Sequence, residues 1–143
     1  MIKIFKDDKS SGKELRKAAK SLKEQNSNNG ALTPYLVAFP EGTRTKDKGY
    51  KMSEFKRGLF TIAIKYDLPI IPIASYGGLD VTPKSSWIFK KGTIYEKILE
   101  PLFPKNYGGS SIKEKSILLQ NDTRQRINQG LHELIRTYGN GTI

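Results

Sequence analysis

Residues 35–44 read Tyr-Leu-Val-Ala-Phe-Pro-Glu-Gly-Thr-Arg, an apolar run that ends on proline and opens into a polar turn. The nearly continuous apolar stretch Tyr35 to Phe39 suits a short strand covered on both faces. Pro40 stiffens the exit and withholds a ladder N–H, Gly42 admits backbone conformations closed to other residues, and Arg44 offers a bidentate fork to an anion. Thr43 adds a hydroxyl and Glu41 an acceptor able to orient Arg44 or a substrate hydroxyl. A surface turn with an internal Glu–Arg pair has the same composition, so the turn alone does not define a site.

Working outward, Phe55, Leu59, Phe60, Ile62, Ala63 and Tyr66 recur at helical spacing as far as Asp67, before Pro69. Lys56 and Arg57 stand where that helix begins, and its free N–H groups favour anions there. Lys46, Lys48 and Lys51 reinforce the positive field. Ile70 to Ala74 reads as a second buried strand, with Pro72 counting against a central position in a sheet. Upstream, Ile2 to Phe5 reads as a short strand. A helix is expected from about Gly12 to Gln25, with Ser11 and Glu14 at capping-box spacing and Leu15, Ala18, Ala19 and Leu22 on one face. Downstream, the pattern gives an extended segment from Thr93 to Leu99 and a last helix from an Asp122 N-cap to a Gly139 stop. Strands alternating with helices in 143 residues imply one α/β layer fold and one domain.

The formal net charge is +11, which draws the chain to polyanions: nucleic acid, an anionic bilayer surface or a phosphorylated substrate. No zinc-finger or RNP pattern supports specific nucleic-acid binding, and no P-loop or dinucleotide fingerprint occurs. With no cysteine, thiol nucleophiles and zinc-thiolate sites are excluded. No apolar run reaches the roughly 18 residues of a membrane-spanning helix, and the N-terminus lacks the h-region of a secretory signal. Without such a signal, the Asn121-Asp122-Thr123 and Asn140-Gly141-Thr142 sequons read as coincidental.

Three blocks in order carry a resemblance. Phe39-Pro40-Glu41-Gly42-Thr43-Arg44, Phe55-Lys56-Arg57-Gly58-Leu59-Phe60 and Leu68-Pro69-Ile70-Ile71-Pro72-Ile73-Ala74 resemble the lysophosphatidic acid (1-acylglycerol-3-phosphate) acyltransferase family of glycerolipid acyltransferases. The match is densest over 35–75, extends over 2–101 and leaves 102–143 unassigned. It implies a glycerolipid acyltransferase-like layer with a mixed sheet flanked by helices. Glu41, Gly42, Thr43, Arg44 and Lys56 would bind the glycerol phosphate of the acceptor, with Arg44 the main phosphate contact. The Leu68 to Ala74 block would lie beside the site. The resemblance further implies acyl-CoA as co-substrate, no bound cofactor or metal, a lysophospholipid acceptor, and a place at the cytosolic face of an anionic membrane, the endoplasmic reticulum in a eukaryote.

Acyl transfer from a thioester to an alcohol needs a base beside the hydroxyl and stabilisation of the oxyanion. The family supplies the base in an Asn-His-four residues-Asp motif, and this sequence has none. Its one histidine, His132, has Thr137 five positions on and Arg136 four positions on, fitting neither that motif nor a metalloprotease's, and reads as an ordinary helix residue. The family's strand-end arginine faces Asp8 in Ile4-Phe5-Lys6-Asp7-Asp8. The expectation is therefore a partial, N-terminally incomplete acyltransferase domain with no catalytic residue of its own and little or no turnover. The alternatives are a non-catalytic anionic-phospholipid-binding protein and a basic nucleic-acid-binding domain.

Overall fold

In the computed structural model, residues 4–5, 11–26, 35–42, 50–82 and 88–139 are described. Strand β1 (Ile4–Phe5), helix α1 (Ser11–Asn26) and strand β2 (Val37–Ala38) form a parallel pair joined through a helix, with Ile4 opposite Val37 and Phe5 opposite Ala38. Helix α2 (Arg57–Tyr66) follows and ends at Asp67, whose left-handed backbone closes it. Strand β3 (Ile73–Tyr76), the single turn α3 (Gly78–Val81) and strand β4 (Tyr95–Ile98) form an antiparallel pair, with Ile73 opposite Ile98 and Tyr76 opposite Tyr95. A 3₁₀ turn at Pro104–Asn106 leads into the long helix α4 (Ile112–Tyr138). The α/β class holds, and among the described residues the strands form two separate pairs. No helix among them is long and apolar enough to cross a membrane.

Helix α4 unites the structure by packing on α2 and on both strands of the antiparallel pair. One core cluster joins Phe55, Phe60 and Ala63 to Leu102 and Leu119; a second joins Ala74 to Leu131 and Leu134. Met52 and Ile127 border both. Gly130 lets α4 approach β3 closely, since a Cβ there would lie 3.1 Å from Ala74 Cβ and from Leu99. Helix α1 packs on α2 with Ala19 fully buried, as its spacing implies.

Three expectations are corrected. The run Tyr35 to Phe39 is not covered on both faces: Tyr35 and Phe39 are each 61% exposed, because among the described elements no helix packs closely over β2. Ile70 to Ala74 is not a fully buried strand either. Pro72 and Ala74 point inward, Ile71 and Ile73 outward, and Ile70 makes only an isolated bridge to Leu102. Helix α4 starts ten residues before Asp122. Ser111 is its N-cap and accepts from the Glu114 N–H at 3.2 Å, while Glu114 accepts from the Ser110 N–H. The turns ahead of Asp122 escape apolar pattern reading because their buried face carries Ser116 beside Leu119, and the same face continues through Thr123. Both hydroxyls donate to carbonyls of the same helix, those of Lys113 and Leu119. Gly139 ends the helix in right-handed conformation. Ser11 is the first residue of α1, and Phe55 lies just ahead of α2.

Asp122, inside α4, accepts from the Tyr107 hydroxyl at 2.5 Å and from Arg126 Nε at 2.9 Å, tying the 3₁₀ turn to the helix. Burial tends to raise the Asp122 carboxyl, but the hydrogen bonds from Arg126 and Tyr107 with the Arg126 charge outweigh it and hold it below the ordinary range. Burial, and then the bond to the carboxylate, raise the Tyr107 phenol.

Two outcomes are expected. A depressed carboxyl stabilises fully above its unfolded value of about 3.9 and loses that contribution as pH falls through the lower, folded value. Denaturant titrations should show the stability advantage of the native chain over Asp122→Asn shrinking below about pH 4. Gly77 has φ +93, and a Cβ there would lie 2.3 Å from the Thr93 carbonyl oxygen. Gly77→Ala should cost about 2–4 kcal/mol by denaturant unfolding, from overpacking and left-handed strain together.

Candidate functional site

The candidate site is the junction of the turn after β2 with the segment entering α2. The Gly42 N–H donates to the Phe39 carbonyl at 3.0 Å, and Gly42 takes φ +68, a left-handed conformation suited to glycine. Two hydrogen bonds dock this turn onto residues 53–56. The Lys56 N–H donates to the Pro40 carbonyl at 2.7 Å, and the Ser53 N–H donates to Glu41 Oε2 at 2.8 Å. Glu41 thus has a defined task that sequence reading did not assign, holding one sequence block on the next by main-chain recognition.

Beneath this junction, α4 supplies the floor. Gln120 Nε2 donates to the Phe55 carbonyl at 2.6 Å and Arg124 Nη2 to the Met52 carbonyl at 3.2 Å. Phe55 is buried and lies parallel to Phe60, ring centroids 6.1 Å apart. Residues 52–55 are therefore clamped between the turn and α4, which fixes where α2 begins. Ser53, Gln120 and Arg124 were not foreseen. Gln120 is legible only once the register of α4 is known, and Ser53 acts through its backbone, which leaves no trace in residue type.

At the head of α2, Lys56 is the N-cap residue with extended backbone, and Lys56 and Arg57 are both exposed. Lys51 is exposed in the preceding segment. Gly58 follows in the first turn, and a Cβ there would meet nothing within 4 Å. Among the described residues the space over this turn is open, and the first-turn N–H groups of a helix together with the cationic side chains of Lys56 and Arg57 suit an anion there. Of the expected binding residues, the structure brings Glu41, Gly42 and Lys56 together; Thr43 and Arg44, with Asp8, Lys46 and Lys48, lie outside the described residues. His132 is exposed on α4, as an ordinary helix residue would be.

Behind the turn, Tyr50 takes φ +57 and its hydroxyl accepts from the Gly77 N–H at 3.2 Å. It begins a line of four tyrosine rings, Tyr50, Tyr76, Tyr95 and Tyr138, with successive centroids 4.8, 6.3 and 4.0 Å apart. Burial and then the charge of Asp80 raise the Tyr50 phenol.

The same stretch carries the family relationship. A model of the acyltransferase family matches residues 2–76, just over half of the chain. The chain belongs to the acyltransferase family. It is similar to the chloroplastic 1-acyl-sn-glycerol-3-phosphate acyltransferase of Brassica napus, with 35% identity over 95 residues, 66% of this chain and 24% of that protein. The 1-acyl-sn-glycerol-3-phosphate acyltransferase of Saccharomyces cerevisiae is 35% identical over 80 residues, 55% of this chain and 26% of that protein. Among solved structures, the 1-acyl-sn-glycerophosphate (LPA) acyltransferase of Thermotoga maritima superposes with a TM-score of 0.61 at 32% identity, covering 82% of this chain and 44% of that one. The chain spans about a quarter of the length of the first two relatives.

Glu41→Ala should leave the fold intact while freeing the Ser53 amide. Hydrogen exchange should show that amide exchanging roughly tenfold faster, as expected from losing a charge-assisted bond worth about 1.5 kcal/mol. An unchanged rate would remove Glu41 from the junction.

Proposed function

We propose that this chain forms the acceptor-binding part of a 1-acyl-sn-glycerol-3-phosphate acyltransferase, the reaction in which a fatty acyl group passes from acyl-CoA to a lysophosphatidic acid-like acceptor. The observation that carries the reading is the double hydrogen-bonded junction of Pro40 and Glu41 with Lys56 and Ser53, which sets a polar turn against the basic head of α2. A glycerol phosphate fits such a place: the dianion meets Lys56, Arg57 and, from the sequence, Arg44, while the glycerol hydroxyl turns away toward the donor. In the reaction the hydroxyl oxygen attacks the thioester carbon, the C–S bond breaks, the CoA thiolate leaves, and the hydroxyl proton passes to a base.

That base is not among the residues of this sequence, which lacks the Asn-His-four residues-Asp motif. The chain by itself is proposed to bind acceptor and to transfer acyl groups poorly or not at all, with no cofactor or metal required. Residues 1–143 are read as part of one acyltransferase domain, and the +11 charge supports a working position at the cytosolic face of an anionic membrane.

The test has two arms. The purified chain should bind lysophosphatidic acid in micelles, and Arg44→Ala should weaken that binding roughly tenfold or more, the cost of a charge-assisted phosphate contact. Acyl transfer from acyl-CoA should be absent from the chain and present when it is expressed in continuity with a segment bearing the Asn-His-four residues-Asp motif. Turnover by the chain alone that Arg44→Ala abolishes would overturn the assignment of catalysis elsewhere. Binding indifferent to Arg44→Ala would overturn the acceptor site.

A further inference from the structure

The described residues that lead from Ile88 into β4 contribute to neither core cluster and carry a surface of distinct chemistry. Its base is fixed. The Lys90 N–H donates to the Val81 carbonyl at 2.9 Å, and Thr82 Oγ1 donates to the Gly78 carbonyl at 3.1 Å. Gly92 sits so close to Val81 that a Cβ would lie 2.9 Å from its Cγ2. Beyond this base, Phe89 is 78% exposed and Ile88 73% exposed, the two most exposed large apolar side chains among the described residues. Lys90 and Lys91 follow them and are exposed too. Between Thr82 and Gly92 the sequence holds Lys84, Lys90 and Lys91 and no acidic residue, with Trp87 directly ahead of Ile88.

Holding a phenylalanine and an isoleucine in water is unfavourable, and lysines beside them say what should cover them. The central parts of protein–protein interfaces are depleted in lysine, whereas a bilayer surface takes both kinds of group at once. Aromatic and aliphatic side chains enter the headgroup–acyl boundary, and lysine stems lie along it with their ammonium groups at the phosphates. We infer that Ile88, Phe89, Lys90 and Lys91 form an interfacial anchor for an anionic lipid surface, a specific contact point for the membrane-face position proposed above, on which this inference rests.

Trp87 is the one tryptophan of the sequence, so all indole emission of the protein comes from the residue next in sequence to the proposed anchor. The purified chain is mixed with vesicles of phosphatidylcholine containing about one third phosphatidylserine, or of phosphatidylcholine alone. Sedimentation and tryptophan emission are read together. The anchor requires that the chain pellet with the anionic vesicles and that emission shift to the blue and become shielded from an aqueous quencher. Lys90→Gln with Lys91→Gln should weaken binding roughly 30-fold, about fivefold for each lysine. Ile88→Ser with Phe89→Ser should abolish the blue shift, circular dichroism verifying that both variants remain folded. Pelleting with unchanged emission and unaffected variants overturns the anchor and leaves the membrane-face position standing. Failure to pellet with either vesicle overturns both. Equal binding to neutral vesicles overturns the role of the lysines.

Discussion

Phe60 and Leu119, both without solvent exposure, share the core cluster in which α2 meets α4, and the candidate site depends on that packing. The turn after β2 has little hold on the body of the protein by itself. Its position comes from residues 53–56, which are held by Phe55 packed against Phe60 and by two side chains of α4 on the carbonyls of Met52 and Phe55. Truncating a buried phenylalanine costs about 3–5 kcal/mol in general. Here the same loss would also release the segment that places the head of α2. The core and the site are consecutive links of one chain of contacts.

Where side-chain pattern alone fixes an element, the sequence was sufficient to read it. Leu15, Ala18, Ala19 and Leu22 announce α1, the apolar spacing up to Tyr66 announces α2, and the segment from Thr93 to Leu99 contains β4. Reading failed where burial is shared with polar groups. The turns of α4 ahead of Asp122 bury Ser116, whose hydroxyl is satisfied within the helix, so the inward face there does not look apolar. It failed the other way at Tyr35 to Phe39 and at Ile71 and Ile73, where apolar residues remain at the surface. For the site, residue types pointed to Glu41, Gly42 and Lys56. The hydrogen bonds joining them involve backbone groups of Pro40, Ser53 and Lys56, and such groups are the same in every sequence.

The exposed faces acquire a meaning beside the comparisons. The structure of the Thermotoga maritima enzyme is matched over 44% of its length, and the relatives from Brassica napus and Saccharomyces cerevisiae over about a quarter of theirs. Two short strand pairs, one parallel and one antiparallel, leave outward-facing isoleucines at Ile71, Ile73 and Ile98 and aromatic rings at Tyr35 and Phe39. Unpaired strand edges with apolar neighbours favour association with further strands. The loop tip at Ile88 and Phe89 differs from these faces, because lysines accompany it and its described residues contain no strand.

The bond between Gln120 and Phe55 spans 65 residues, and that separation governs the order of events during synthesis. A polypeptide leaves the ribosome N-terminus first, so the turn after β2 and all of α2 emerge long before the helix that holds them. During that interval Phe55 and Phe60 have no partner from α4, and closing so long a loop is a slow step relative to local helix formation. A nascent chain that ends before residue 119 would have α1 against α2 and nothing from α4 on Phe55 and Phe60, so the segment that places the head of α2 would be held on one side alone.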